Sequence, residues 1–178
     1  VQAKVLDQLK SKPKFIALDT IDFWIETAKP QLLDVIAQST LICINESEIR
    51  LLTGEYSIKK GALQLIEDGL SYVIVKKGEH GALLFSKSEV FYAPGLPLED
   101  VFAPTGAGDS FLGGLMGFVS KTNDASFENL KRALIYGSVM ASYCVEQFGS
   151  QKLLTLNDAK IEERLQDFID LVQFEIQL

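Results

Sequence analysis

The chain has 178 residues, of which 47% are hydrophobic and 23% are charged, and this composition is enough for one domain with a hydrophobic core. The formal net charge of −7 argues against a nucleic-acid-binding protein, because phosphate backbones are held by clustered lysines and arginines. A single histidine, His80, argues against a histidine-based catalytic triad or a multi-histidine metal site.

Two features indicate a cytoplasmic protein without a membrane partner. No apolar run approaches the roughly 20 residues of a membrane span, and no signal-peptide pattern opens the chain. Cys43 and Cys144 lie in apolar surroundings without metal-ligand spacing, as expected of reduced, buried thiols.

The chain begins at Val1 rather than at Met, in a predicted helix that leads directly into a strand. We therefore expect it to be part of a longer protein.

The first predicted strand covers residues 14–19 and is short, apolar and closed by polar residues, as a buried parallel strand would be. Asp19, Thr20 and Asp22 lie at its carboxyl end, where ligands bind in open α/β sheets. They could face a substrate or a metal, or simply form a polar junction. Phe23 and Trp24, with Ile25, are expected to pack beneath the loop.

The second predicted strand, residues 41–44, leads into a helix that ends at Gly54. Asn45 and Glu48 place an amide and a carboxylate at this strand end. They could form a capping arrangement, with Asn45 as the N-cap and Glu48 reaching back to it. They could also contribute to a binding site.

The third predicted strand, residues 72–75, ends in a glycine turn that contains Lys77 and Gly78. Lys77 could reach a phosphate, although a lysine in such a turn is commonly just solvated. His80 is interpreted as a turn residue. A hairpin and a loop over residues 94–104 follow.

A glycine-rich loop then precedes an apolar run that predicts a buried helix. A phosphate placed against Gly106, Ala107 and Gly108 would meet backbone amides and the positive end of the helix dipole. Asp109 stands where the loop becomes helix. It could take a proton from an attacking hydroxyl, or it could merely cap the helix.

Two more helices are predicted after the glycine-rich loop. The first begins at the N-cap Ser126 and ends at Gly149, and its small residue Gly137 would allow either close helix packing or contact with a flat base. The second begins at Asn157. Its expected buried residues are Ile161, Leu165, Phe168, Ile169 and Val172.

Three motifs together carry a family resemblance. Pro-Thr-Gly-Ala-Gly-Asp-Ser-Phe-x-Gly-Gly, from Pro104 to Gly114, resembles the C-terminal signature of the ribokinase-like (PfkB) carbohydrate kinases. Asn45-x-x-Glu48 before Leu-Thr-Gly, and the Val-x-Val-Lys-x-Gly-x-x-Gly pattern that ends at Gly81, also match family elements. The resemblance implies a ribokinase-like α/β fold, a doubly wound, mostly parallel sheet flanked by helices. It covers a single nucleotide-binding domain portion, residues 1–178, without the family's N-terminal half and lid.

The resemblance also implies a function, an ATP-dependent kinase that transfers the γ-phosphoryl group to a hydroxyl of a sugar or nucleoside. Asp109 would be the base and would contact the substrate, and Gly106, Ala107 and Gly108 would form the anion hole. Asn45 and Glu48 would help to place Mg²⁺, mainly through water. The implied nucleotide-binding residues are Asn45, Lys77, Gly78, Thr105, Gly106, Gly108, Gly137 and Met140.

Two departures from the family bear on activity. Members usually carry an acidic residue at the position of Ala103 that contributes to a monovalent-cation site, and a methyl group cannot coordinate K⁺. Backbone carbonyls could still form a weakened site. The parts that hold the acceptor and the lid that often mediates homodimers have no counterpart in the sequence. We therefore expect the isolated chain to be inactive, and the alternative is a nucleotide-binding module that needs a partner or its missing half.

Overall fold

The structure is a computed structural model that describes residues 2–11 and 13–173. Val1, part of the predicted first helix, lies outside the described residues. The five strands are β1 (Ala17–Asp19), β2 (Leu41–Asn45), β3 (Tyr72–Lys76), β4 (Ala82–Phe85) and β5 (Val90–Ala93). The eight described helices are α1 (Gln2–Asp7), α2 (Asp22–Thr27), α3 (Lys29–Ile36), α4 (Glu46–Thr53), α5 (Ile58–Glu67), α6 (Ala107–Thr122), α7 (Phe127–Val145) and α8 (Asp158–Val172).

The strands form one mixed, mostly parallel sheet in the order β1-β2-β3-β4-β5, flanked by helices. β1 and β2 run parallel, with Ala17 opposite Leu41. β2 and β3 also run parallel, and their last paired residues are Asn45 and Lys76. The α/β architecture predicted from the sequence is thereby confirmed. Helix connections between parallel strands bring the carboxyl ends of β1, β2 and β3 to the same edge of the sheet.

The chain divides into two compact units. The first comprises Val1–Lys77 and Leu83–Phe91, and the second comprises Gly78–Ala82 and Tyr92–Leu178. The prediction of a single domain over residues 1–178 stays a prediction. No helix among the described residues is long and apolar enough to cross a membrane.

The core of the first unit lies between its strands and its helices. β2 and β3 contribute Ile42, Ile44, Val73 and Val75, whose side chains are fully buried. Such continuous apolar runs are what strands covered on both faces require. The helices add the buried residues Ile25, Leu32, Val35, Ile36, Ile49, Leu52, Ala62 and Leu65.

The second unit is organised around two packed helices, α6 and α7. Ser126 caps α7 as predicted, its hydroxyl accepting a hydrogen bond from the backbone N–H of Asn129. The α8 helix packs against α7, where Phe168 is buried with Val139 and Tyr143. Asn157 caps α8 in the same manner, its side chain accepting from the N–H of Lys160.

Several sequence predictions about burial and boundaries are wrong. Phe23 and Trp24 lie on α2 with 56% and 45% of their surface exposed, so only their neighbour Ile25 packs inward as expected. In α8, Ile169 and Val172 are about half exposed, because only part of the predicted apolar face meets α7. α7 ends at Val145, and the left-handed Gly149 follows after a short turn.

Candidate functional site

The glycine-rich loop forms the N-terminus of α6. Gly106 is the N-cap and has φ of +89°, a left-handed conformation that L side chains rarely adopt. Ala107 begins the helix, and its N–H donates to the carbonyl of Pro104. The N–H groups of Gly108 and Asp109 have no acceptor among the described residues. The loop therefore presents two unsatisfied donors at the positive end of a 16-residue helix, an arrangement suited to an anion.

Asp109 lies in the first turn of α6 and is exposed. Its carboxylate makes no side-chain cap hydrogen bond, and the N-cap of α6 is Gly106. Asp109 therefore does not cap the helix. Ser110 behaves differently, because its hydroxyl donates to the carbonyl of Gly106. The described part of the chain thus leaves the Asp109 carboxylate available to solvent, next to the two unsatisfied amides.

Gly137 and Met140 lie on the face of α7 that packs on α6. A Cβ atom added at Gly137 would lie 2.7 Å from the carbonyl oxygen of Phe111, and one added at Gly114 would lie 2.6 Å from Cγ of Met140. Both distances are below 3.0 Å, so a side chain at either glycine would require neighbouring atoms to move. Gly137 and Met140 therefore pack at the contact between α6 and α7. Their nucleotide-binding roles stay predictions.

Asn45 and Glu48 form a complete capping box at the start of α4. The Asn45 side chain accepts from the N–H of Glu48 at 2.9 Å, and the Glu48 carboxylate accepts from the N–H of Asn45 at 2.9 Å. The hydroxyl of Ser47 also donates to Asn45 Oδ1. The described residues contain no group of three or more acidic, histidine or cysteine side chains that could hold a metal ion. Direct metal coordination would compete with the capping box, whereas contact through water would leave it intact.

An ion pair that sequence reasoning missed lies beside this capping box. Lys76 Nζ, at the end of β3, lies 2.7 Å and 3.0 Å from the two carboxylate oxygens of Asp19, at the end of β1. The two residues are 57 positions apart, so only the strand order brings them together. The available signal was a charged residue at the end of each apolar strand. Thr20, which follows Asp19, has a buried hydroxyl without a hydrogen-bond partner among the described residues.

Burial and charge shift several pKa values at this sheet edge. Desolvation raises the pKa of Glu48, although the Asn45 N–H and the Lys76 ammonium act in the opposite direction. Burial opposes the charge of Lys76, but nearby acidic groups more than offset it and raise its pKa, among them the Asp19 carboxylate, which accepts hydrogen bonds from the ammonium. Burial raises the pKa of the Cys43 thiol to about 12, so this sulfur stays protonated at neutral pH. Cys43 and Cys144 are both buried and form no disulfide, as predicted.

The glycine turn after β3 holds the two remaining candidates. Lys77 Nζ lies 3.8 Å from a carboxylate oxygen of Glu46, so it is paired rather than simply solvated. Gly78 has φ of +58° and begins a short 3₁₀ turn that ends at His80. His80 is a turn residue, as predicted, and its ring is largely exposed. The nucleotide-binding roles of Lys77 and Gly78 stay predictions.

The mixed, mostly parallel sheet flanked by helices defines an α/β protein. Residues 3–156 match the pfkB family of carbohydrate kinases. The chain therefore belongs to this family, which confirms the resemblance seen in its motifs.

The relatives are sugar and nucleoside kinases. The chain is 32% identical over 129 residues to fructokinase-2 of Oryza sativa subsp. japonica, covering 70% of this chain and 38% of the relative. It is 31% identical over 129 residues to the cytidine kinase of Thermococcus kodakarensis, covering 67% and 44%. The chain thus spans less than half the length of these relatives.

A solved structure agrees on the fold. The chain superimposes on fructokinase from Vibrio cholerae O395, in its fructose-, ADP- and calcium-bound form, with a TM-score of 0.75 and 22% identity. The match covers 85% of this chain and 50% of that one. It shows that the fold is that of the ribokinase-like kinases.

Proposed function

We propose that this chain is the nucleotide-binding part of an ATP-dependent kinase that phosphorylates a hydroxyl of a sugar or nucleoside. The observation that carries the proposal is the N-terminus of α6, where the unsatisfied amides of Gly108 and Asp109 adjoin the exposed Asp109 carboxylate. Family membership and the kinases among its relatives support the same reaction class. An anion-binding loop with an adjacent general base is what phosphoryl transfer requires.

In the proposed reaction, Asp109 accepts the proton of the attacking hydroxyl. Gly106, Ala107 and Gly108 are assigned to the anion hole, where backbone amides stabilise the negative charge that develops during transfer. The amides available for this are those of Gly108 and Asp109, because the Ala107 N–H donates to the Pro104 carbonyl. Bound Mg·ATP supplies the phosphoryl group, with the metal screening the phosphate charges. Thr105 flanks the anion hole, and Lys77 and Gly78 are further nucleotide-binding candidates.

The metal-binding part of the proposal assigns Mg²⁺ to Asn45 and Glu48. Their oxygens fit a hard cation in chemical type, and one carboxylate oxygen of Glu48 accepts the Asn45 N–H. Contact through water preserves these hydrogen bonds, so both residues can serve the helix and the metal together. The assignment follows from the family likeness.

Nucleotide binding is tested by calorimetric titration of the 178-residue chain with Mg·ATP. Gly108→Asp places a carboxylate against the phosphates and is expected to weaken binding at least about tenfold, or about 1.4 kcal/mol. Gly117→Asp is the matched control, because Gly117 lies on the same helix, is exposed and has open space around it. Equal affinities of the two variants would contradict the assigned site.

The reaction is tested with the product of the complete reading frame, by following ADP formation with ribose, fructose and cytidine as acceptors. Turnover with any of them supports the proposal. ATP binding without turnover would favour the second candidate, a nucleotide-binding module without catalysis. That candidate is favoured by one observation, that Ala103 stands where the family usually carries an acidic residue.

A further inference from the structure

The segment that leads into the glycine-rich anion loop, residues 104–108, is hydrogen-bonded to the C-terminal end of α7. The N–H groups of Phe102 and Ala103 both donate to the carbonyl of Val145, at 2.7 Å and 3.3 Å. Both of these residues precede Gly106 by only a few positions, so these two hydrogen bonds restrict how the chain enters the loop. The loop between α6 and β5 is therefore anchored to a helix in the same unit.

The thiol of Cys144 lies next to the backbone of the loop. Cys144 is 1% exposed, and its Sγ lies 3.5 Å from the carbonyl oxygen of Gly149 and 3.9 Å from that of Thr105. A Cβ atom placed on Gly106 would lie 3.5 Å from the same sulfur, an ordinary van der Waals distance. The sulfur therefore lies beside the backbone of the loop, within hydrogen-bonding range of the Thr105 carbonyl.

The residues around this thiol do not fit the monovalent cation that the family resemblance implies. Ala103 offers no side-chain oxygen, and the nearby Val145 carbonyl oxygen already accepts the N–H groups of Phe102 and Ala103. The carbonyls of Thr105 and Gly149 both lie within hydrogen-bonding range of the Cys144 thiol, which is a weak donor. The side chains beside the loop are therefore the methyl group of Ala103 and the thiol of Cys144, and neither is a carboxylate.

We propose that Cys144 and the Val145 carbonyl hold the anion loop in its binding conformation without a monovalent cation. Cys144 is a positioning residue, because it contacts the loop backbone and not the substrate. The proposal rests on the proposed function of the loop. It follows that nucleotide affinity does not depend on K⁺.

Two readouts on the 178-residue chain test the proposal, each with K⁺ or with tetramethylammonium at equal ionic strength. Hydrogen exchange reports protection of the Phe102 and Ala103 amides, and calorimetry reports the Kd for Mg·ATP. For the parent chain, both are expected to be the same in the two salts. Tightening of the Kd by more than about tenfold, a change of about 1.4 kcal/mol, or added amide protection in K⁺ would overturn the proposal.

Variants of the cysteines separate positioning from general destabilisation. Cys144→Ala is expected to speed exchange at both amides and to weaken ATP binding several-fold, whereas Cys144→Ser keeps a hydrogen-bond donor and restores most of the protection. Cys43→Ala is the matched control, since this buried thiol lies in the other unit. Unchanged exchange in Cys144→Ala, or equal acceleration in Cys43→Ala, would overturn the role of Cys144.

The exchange readout does not need nucleotide, so the two proposals can fail separately. A chain that binds no ATP, alone or within the complete gene product, contradicts the proposed function. Protection that depends on Cys144 and not on K⁺ would still support the positioning role in that case.

Discussion

The ammonium of Lys76 lies 2.7 Å from a carboxylate oxygen of Asp19, although the two residues end different strands, β3 and β1. The strand between them, β2, ends in Asn45, the N-cap of α4. The pair is about one fifth exposed on each side, so water screens it only in part. It therefore joins the ends of β1 and β3 across β2, at the edge that carries the proposed metal-binding residues.

Breaking this pair is expected to destabilise the chain. Lys76→Met should lower the free energy of unfolding by about 1–3 kcal/mol, because the Asp19 carboxylate loses a charged partner while it stays partly buried. Urea unfolding measures the change. The double variant Asp19→Asn with Lys76→Met should recover part of the loss, since no unpaired charge remains. Strictly additive effects would show that the pair does not stabilise the fold.

Asp109→Asn tests the proposed base. In the complete gene product, turnover is expected to fall by a factor of about 10² to 10⁴, because the amide cannot accept the proton of the attacking hydroxyl. ATP affinity should change little, since the helix N-terminus and its amides are retained. Steady-state kinetics and calorimetry give the two quantities. Near-normal turnover would remove Asp109 from the mechanism.

Glu48→Gln tests the capping and metal roles separately. Burial raises the pKa of Glu48 above its ordinary value of 4.5, so its contribution to stability is present below pH 4.5 and is lost as the pH rises through the folded-state pKa. The neutral amide can still accept the Asn45 N–H, and stability at pH 7 should be equal or higher. The Mg²⁺ concentration that half-saturates turnover should rise. Unchanged Mg²⁺ dependence would leave Glu48 as a helix cap alone.

Gly137→Ala tests the close contact between α6 and α7. The new methyl group would lie 2.7 Å from the Phe111 carbonyl oxygen, so unfolding free energy should fall by about 1–3 kcal/mol. Gly113→Ala is the matched control, because it is a helical glycine with nothing within 4 Å of its added Cβ. It should gain about 0.5–1 kcal/mol from helix propensity. Thermal unfolding measures the melting temperature of both variants. Similar shifts in the two melting temperatures would contradict the packing assignment.

Acid stability should depend on Glu146. Its burial favours the neutral form, but hydrogen bonds from Arg164 and Lys152 outweigh burial and lower its pKa below 4.5. The stability that this carboxylate contributes is therefore present above pH 4.5 and is lost as the pH falls through the folded-state pKa. Glu146→Gln should flatten the pH dependence of unfolding free energy in that acidic range. A variant with the parent's pH profile would contradict this.

Much of the candidate site could be predicted from the sequence because it is local. Asn45 and Glu48 are three residues apart, and a helix start at that spacing is sufficient to form the capping box. The glycine loop is equally local, since a left-handed Gly106 followed by an apolar helix determines where the unsatisfied amides lie. The α/β architecture followed from apolar strands and from motifs that the family match confirms.

Only the tertiary structure decided which distant residues meet and which apolar side chains are covered. The Asp19–Lys76 pair requires the parallel order of β1, β2 and β3, and the contact of Cys144 with Thr105 spans 39 residues. Trp24 is apolar in sequence and is nevertheless exposed on α2. The physical reason is the same in each case. Periodicity and capping act over a few residues, whereas burial and ion pairing depend on how separate elements pack.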